Sequence, residues 1–322
     1  MIFTLSYAVL FLAVLGLIPS PFLTLTILTG LHLLLWTLLC GGPSAIFEII
    51  EARTQPKLPL QPPHPARRPL VVVIGSATGL GKDVVALAKK KKYVVQEGDV
   101  LFPEPARHCD LTSVESISKF ARHIVAPIDV LVLVAGVCDA KGVPVQDSDH
   151  PRMLWVNFLG QICLLEEFKK QGIAVKKIVS ITSGSYARGT AGTVFYPNTW
   201  NVTQAMKNYS QSKFLLTTYM ARLQSYGTNV VMLNPGPMRS TIGDRHVPLL
   251  LWPVYGLMKE ILFPLPAVAA KSVMYCIDAK KQMEYMHIRM ESKLLPMVHD
   301  STVQKWMMEH TRKALAKWYT LE

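Results

Sequence analysis

Tyr209 and Lys213, in the stretch "KNYSQSKF" at residues 207–214, are spaced so that a helix would carry both on one face, within reach of one ligand. The chemistry open to such a pair is proton transfer. A phenol has an ordinary pKa near 10 and is a poor base at neutral pH, but an ammonium beside it favours the phenolate. The same spacing arises on plain helix surfaces, so the pair counts only if other elements bring a ligand to it.

Those elements are legible from residue 69 onward. "PLVVVIG", "IDVLVLVAG" and "NVVMLNPGP" are continuous apolar runs of the kind that form strands buried on both faces, with "YVVQEG" and "KKIVSITS" as further strands. Between them lie helical patterns: "LGKDVVALAKKKK", "SVESISKFARHIV", "MLWVNFLGQICLLEEFKKQG" stopped by Gly172, and "NYSQSKFLLTTYMARLQSYG". Strand–helix alternation predicts an α/β fold with a doubly wound parallel sheet, whose ligands bind at the carboxyl ends of the strands. The first loop of that kind is "GSATGLGK", with Gly75, Gly79 and Gly81 directly after a strand and opening a helix. Glycines there let the backbone approach a pyrophosphate, which the helix amino terminus then stabilises. A P-loop is excluded, because no Gly-Lys-Ser/Thr follows.

The glycine loop together with the later Tyr-x-x-x-Lys resembles the short-chain dehydrogenase/reductase family, and within it the retinol-dehydrogenase-like members, over about residues 69–320. The resemblance implies a Rossmann-like domain, NAD(H) or NADP(H) as cofactor, and hydride transfer between the nicotinamide and a carbinol carbon. It assigns Asn157, Ser183, Tyr209 and Lys213 as catalytic: Tyr209 moves the proton, Lys213 lowers the tyrosine's pKa and holds the nicotinamide ribose. Ser183 orients the substrate oxygen, and Asn157 holds a water that links Lys213 to solvent. Cofactor contacts fall on Gly75, Ser76, Thr78, Gly79, Leu80 and Gly81, on Asp99, and on Asp110 and Leu111 beside the adenine. Further contacts fall on Ala135 and Gly136, on Tyr209 and Lys213, and on Pro235, Gly236, Met238 and Thr241 over the nicotinamide. Pairing through the helices bearing Asn157 and Tyr209 would give a homodimer.

Three departures stand out. Ile74 occupies a position where the family usually has Thr, and Leu133-Val134 replaces Asn-Asn. Only ten residues lie between Asp99 and Asp110, too few for a parallel crossover with a helix, so the third helix should be missing. Asp99, near the end of the second strand, leans the cofactor towards NAD. Ser183 and Tyr209 are 26 apart, about twice the usual spacing, through the insert "YARGTAGTVFYPNTWN". The apolar stretch 246–266, in the place of a substrate lid, suits a lipid-soluble substrate such as a retinoid, steroid or long-chain lipid. The closing helix should turn Val303, Trp306, Met307, His310, Ala314 and Trp318 to one face, for core packing or interfacial docking.

Upstream, no Asp, Glu, Lys or Arg occurs from Met1 to Phe47. This run is about twice the roughly 20 residues one bilayer crossing needs, and Pro19–Pro21 divides it. Residues 1–42 therefore read as a membrane anchor, either two short helices or a hairpin; a signal peptide would need a basic start and a small-residue cleavage site. Residues 43–68 read as a Pro-rich linker, with six prolines from Pro56 to Pro69, and 69–322 as the enzymatic domain. Basic residues following the anchor favour a cytosolic domain on the endoplasmic reticulum or a lipid droplet. Five cysteines without metal or disulfide spacing suit a reducing compartment, and no histidine spacing suggests a metal. A net charge of +12 with no basic face interleaved by aromatics points to anionic lipid and not to nucleic acid. The alternative to an enzyme is a membrane-bound scaffold or nucleotide sensor of the same fold with little turnover.

Overall fold

The structure is a computed structural model. It describes residues 43–55, 68–125, 127–138, 150–192, 202–239 and 263–321, with isolated positions between them. The apolar run 1–42, most of the proline segment, the insert 193–201 and most of the apolar stretch 246–266 lie outside the described residues, as does Thr241. Among the described residues no helix is long and apolar enough to cross a membrane.

Seven strands form one sheet in the order β2-β1-β3-β4-β5-β6-β7. They are β1 Leu70–Ile74, β2 Val94–Gly98, β3 Val130–Leu133, β4 Ile178–Ile181, β5 Val230–Asn234, β6 Tyr285–His287 and β7 Met290–Ser292. All pairings are parallel except β6 with β7. The central strands β3, β4 and β5 are buried throughout, which is why their sequences read as unbroken apolar runs rather than alternating ones.

Helices cover both faces. On one side lie α2 (Gly79–Lys90) and α6 (Pro266–Asp278), the latter matching the apolar run "PAVAAKSVMYCID". The other side is built from α3 (Val114–Arg122) and α4, which comprises Arg152–Leu154, a π-turn at Trp155–Leu159, and Gly160–Lys170. It also holds α5 (Val202–Ser225) and α7 (Ser301–Leu315). The two apolar cores are accordingly separate, with alternate residues of one strand, such as Val71 and Val72, pointing to opposite ones.

Four findings refine the sequence reading. The third helix is indeed absent, and its flanking strand is reduced to a single parallel bridge, Asp99 with His108. With Ile74 and Leu133-Val134 in place of the polar residues usual in the family, main chain joins the strand ends: Val134 and Ala135 donate to the Ile74 carbonyl at 2.9 and 3.0 Å. The segment taken as a linker begins with a helix, α1 (Pro43–Thr54), packed on the carboxyl edge of the sheet with Ile49 and Ala52 buried. Finally, α7 is a core helix turned about one residue from the expected face, burying Gln304, Met307, Met308, Thr311 and Leu315. Trp306 and Ala314 are only partly covered.

The rotation of α7 matters beyond itself. Together with the tail it lies over α5 and the π-turn, Trp318 meeting Trp155 edge-on at 5.5 Å and Tyr319 donating to Glu167 at 3.0 Å. From Ser210 to Ala221 every residue of α5 is buried within the one chain. α7 and the tail thus cover part of the helix pair through which a dimer was expected to form.

Candidate active site

The glycine loop closes on itself and on β3. Gly75 has φ +87°, and a side chain there would press on the Ala135 backbone; one at Gly81 would fall on the Gly75 carbonyl oxygen. Only glycine allows this turn to be so tight. Thr78, at the start of α2, makes no side-chain cap bond, and nothing stands within 4 Å of the space beside Gly79. The first-turn N–H groups of α2 thus face an open approach, the arrangement an anionic pyrophosphate requires. The residues present fit a dinucleotide. Ser76 is buried and donates to the Gly98 carbonyl at 3.3 Å, and Leu80 packs beneath.

On the adenine side the carboxylates are engaged. Asp99 accepts from the Ala77 N–H at 3.0 Å, tying the end of β2 to the glycine loop, and from the Leu101 N–H. Asp110 accepts from the N–H and hydroxyl of Thr112 at 2.8 and 2.7 Å, an Asx-type turn, while Leu111 is buried. Each aspartate shapes its own loop.

The catalytic candidates converge at the carboxyl ends of β3, β4 and β5. The π-turn interrupts α4 at Asn157, a break in the regular ladder of the kind found at functional sites. The Asn157 Oδ1 accepts from the Val137 N–H at 2.8 Å, and its Nδ2 donates to the Val137 carbonyl and to Ser212 Oγ, both at 2.9 Å. Ser212 in turn donates to the Tyr209 carbonyl at 2.7 Å. Asn157 and α5 are thereby locked together through both amide hydrogens and one lone pair of Oδ1. Gln161, one turn on, donates to the Ala135 carbonyl at 3.1 Å.

Lys213 is buried and donates to the Ile181 carbonyl at 3.0 Å. A side-chain carbon added at Gly136 would lie 3.4 Å from Lys213 Nζ and 3.6 Å from Asn157 Oδ1, so all three meet at one point. Burial pulls the Lys213 ammonium down to about 8. Ser183 ends the loop after β4 and accepts from the N–H and hydroxyl of Ser185 at 3.3 and 3.0 Å. It also hydrogen-bonds the Tyr209 phenol.

Tyr209 lies among several groups that set its pKa. Burial pushes its phenol up; the Cys138 thiol and the Glu48 carboxylate push the same way, and the Ser183 bond and Arg188 pull it back.

At the end of β5, Asn234 Oδ1 accepts from the Gly236 N–H at 3.0 Å, fixing the turn that carries Pro235 and Gly236, and Met238 packs on the α2 side of the sheet. Two contributors are invisible in the motifs: Ser212, inside the Tyr-x-x-x-Lys itself, and Glu48 of α1. A clue to the second was its place as the first charge after 47 uncharged residues.

Residues 71–289 match the NAD dependent epimerase/dehydratase family. Human retinol dehydrogenase 14 is 27% identical over 231 residues, covering 66% of this chain and 67% of that protein. Human retinol dehydrogenase 13 is 28% identical over 204 residues, 55% of this chain and 60% of its own length. The chain thus spans about two thirds or less of these relatives. The 3-alpha-hydroxysteroid dehydrogenase from Pseudomonas sp. B-0831, solved with NADH, shares the fold at a TM-score of 0.51 and 16% identity, covering 68% of this chain and 94% of that one. The chain belongs to the NAD dependent epimerase/dehydratase family, as a short-chain dehydrogenase/reductase similar to the retinol dehydrogenases, with NAD(H) or NADP(H) as its cofactor.

Proposed function

We propose that this enzyme interconverts a hydroxyl and a carbonyl on a lipophilic substrate, a retinoid, steroid or long-chain lipid. The observation that carries the reading is the meeting of Asn157, Lys213 and Gly136 at one point, joined through Ser212 to Tyr209, opposite an uncapped helix start. The bound nicotinamide would supply or accept the hydride. This chain's residues do the rest: Ser183 holds the substrate oxygen, Tyr209 gives or takes its proton, and Lys213 and Asn157 maintain the polar path behind them.

Lipophilicity is supported by the 47 residues without charge at the start, by the apolar stretch 246–266, and by the names of the relatives. Residues 1–42 would hold the enzyme to the endoplasmic reticulum or a lipid droplet, with the catalytic domain in the cytosol. A second reading, a membrane-bound scaffold or nucleotide sensor, draws on Ile74, Leu133 and Val134, apolar where polar braces would be usual.

The two separate in one assay. Detergent-solubilised protein is given all-trans-retinal, a 3-ketosteroid and a long-chain 3-keto ester, with NADH and NADPH in parallel. Turnover with one nucleotide, lost at least about a hundredfold in Tyr209→Phe, supports the enzyme. Nucleotide binding without turnover of any carbonyl supports the sensor.

A further inference from the structure

We propose that Glu48 is a positioning residue of the active site, holding the Ser183–Gly184 turn from a helix that precedes the nucleotide-binding domain. The inference rests on the oxidoreductase reading only for what the turn does.

Glu48 is the first charged residue after the apolar run, and α1 delivers it to the carboxyl rim of the sheet. Its Oε1 accepts from Asn234 Nδ2 at 3.1 Å, across 186 residues of sequence. The same oxygen occupies the space into which a side chain at Gly184 would project. Gly184 directly follows Ser183, and Asn234 directly precedes Pro235-Gly236. One carboxyl group therefore touches both loops between which nicotinamide and substrate meet in the proposed reaction.

The anchorage of α1 is specific. Asn234 and His287 Nδ1 lie 3.2 Å apart, and His287 Nε2 lies 2.7 Å from Glu51 Oε2. Gln55 accepts from the Arg289 N–H at 2.8 Å and, through its carbonyl, from the Arg289 guanidinium at 2.6 Å. Ala52 packs within 3.8 Å of where a Gly236 side chain would begin.

Every element around Glu48 contributes to its charge state. Burial raises its pKa first, and Glu51 on the same helix adds to that; His287 from β6, the Asn234 bond from β5, and Arg188 from the turn after β4 oppose it. The influence runs back to the phenol, because a charge on Glu48 raises Tyr209, and Tyr285 as well. Removing the charge while keeping the acceptor should let Tyr209 ionise more readily.

The test uses the full chain in detergent, with Glu48→Ala and Glu48→Gln beside the wild type. Amide hydrogen exchange across residues 183–188 reads the turn without any substrate. Glu48→Ala should speed that exchange and lower kcat about tenfold, as misplacement of a reacting group does. Glu48→Gln can still accept from Asn234, so exchange should match the wild type. Its alcohol-oxidation pH profile should rise at lower pH, because the tyrosine loses its proton sooner. Unchanged exchange at 183–188 in Glu48→Ala, or an unmoved limb in Glu48→Gln, overturns the proposal. Should Glu48→Ala fail to fold, Gly184→Ala reads the same contact from the other side, since its methyl group must displace the carboxylate. A wild type that turns over nothing sinks the oxidoreductase reading, and the exchange data then decide the role of Glu48 by themselves.

Discussion

Lys213 shows how a single side chain is asked to serve two ends. It is buried with one carbonyl partner, and burial pulls its pKa to about 8, well under that of a free lysine. The unfolded chain therefore holds a proton that the folded chain releases between about 8 and the free-lysine value near 10.4, so this group makes stability rise with pH across that window. Below it, the cost of a buried charge is constant. Lys213→Met should accordingly raise the melting temperature at pH 7, on the order of 5 °C, while abolishing turnover; differential scanning calorimetry with an activity assay checks both. Gly81→Ala offers the opposite contrast. Its methyl group would fall on the Gly75 carbonyl, so the loop must open, and NADH fluorescence titration should show at least about a tenfold loss of affinity. Tyr209, Lys213, Ser183 and Asn157 were legible in the sequence because chemistry dictates residue type and the strand–helix alternation dictates order. Glu48 was not, because its role depends on contacts 186 residues away that no local pattern encodes. Spacing fixes which face Tyr209 and Lys213 share, and the fold then sets where the lysine chain ends, at the Ile181 carbonyl.

At the level of elements, the π-turn in α4 and the helix α5 act as one unit through Asn157. Replacing Asn157 with Ala would leave the Val137 N–H, the Val137 carbonyl and Ser212 without this partner. A loss of about 2–3 kcal/mol in stability, read by urea titration, should accompany a fall in kcat/KM. The Asp300 cap of α7, accepting from the Thr302 and Val303 N–H groups, is far from the chemistry. Asp300→Ala should cost about 1 kcal/mol and leave kcat unchanged, a control for stability loss alone. The long buried strands and amphipathic helices were legible through their periodicity, and the missing third helix through simple chain length. The three-residue strands β6 and β7 were not, being too short to show a period. Nor was α1, a twelve-residue helix between an apolar run and a proline segment, whose helical character owes more to docking than to pattern.

For the molecule as a whole, two edges of the sheet are unequal. One ends in the short antiparallel pair β6–β7, while the other is β2, left without a full neighbour by the missing crossover and with Val94 and Leu101 exposed. Lys89, paired with Glu97, guards that edge, as charges on edge strands commonly do. The opposite face of the domain is closed by α7 and the tail. Deleting residues 316–322 would remove Trp318 from Trp155 and Tyr319 from Glu167, uncovering apolar surface on α4. Sedimentation velocity in detergent should then show more association for the truncated chain than for the full chain.

The docking of α1 has a consequence for how substrate arrives. Glu48 stands five residues into the helix, about 8 Å of rise from Pro43. With residues 1–42 in a bilayer, as proposed, the reacting centre is tethered on the order of 10 Å from the lipid boundary and cannot swing away on a loose leash. A molecule dissolved in that bilayer would then find the enzyme by a search in two dimensions, and its concentration in the leaflet, not in water, would set the rate.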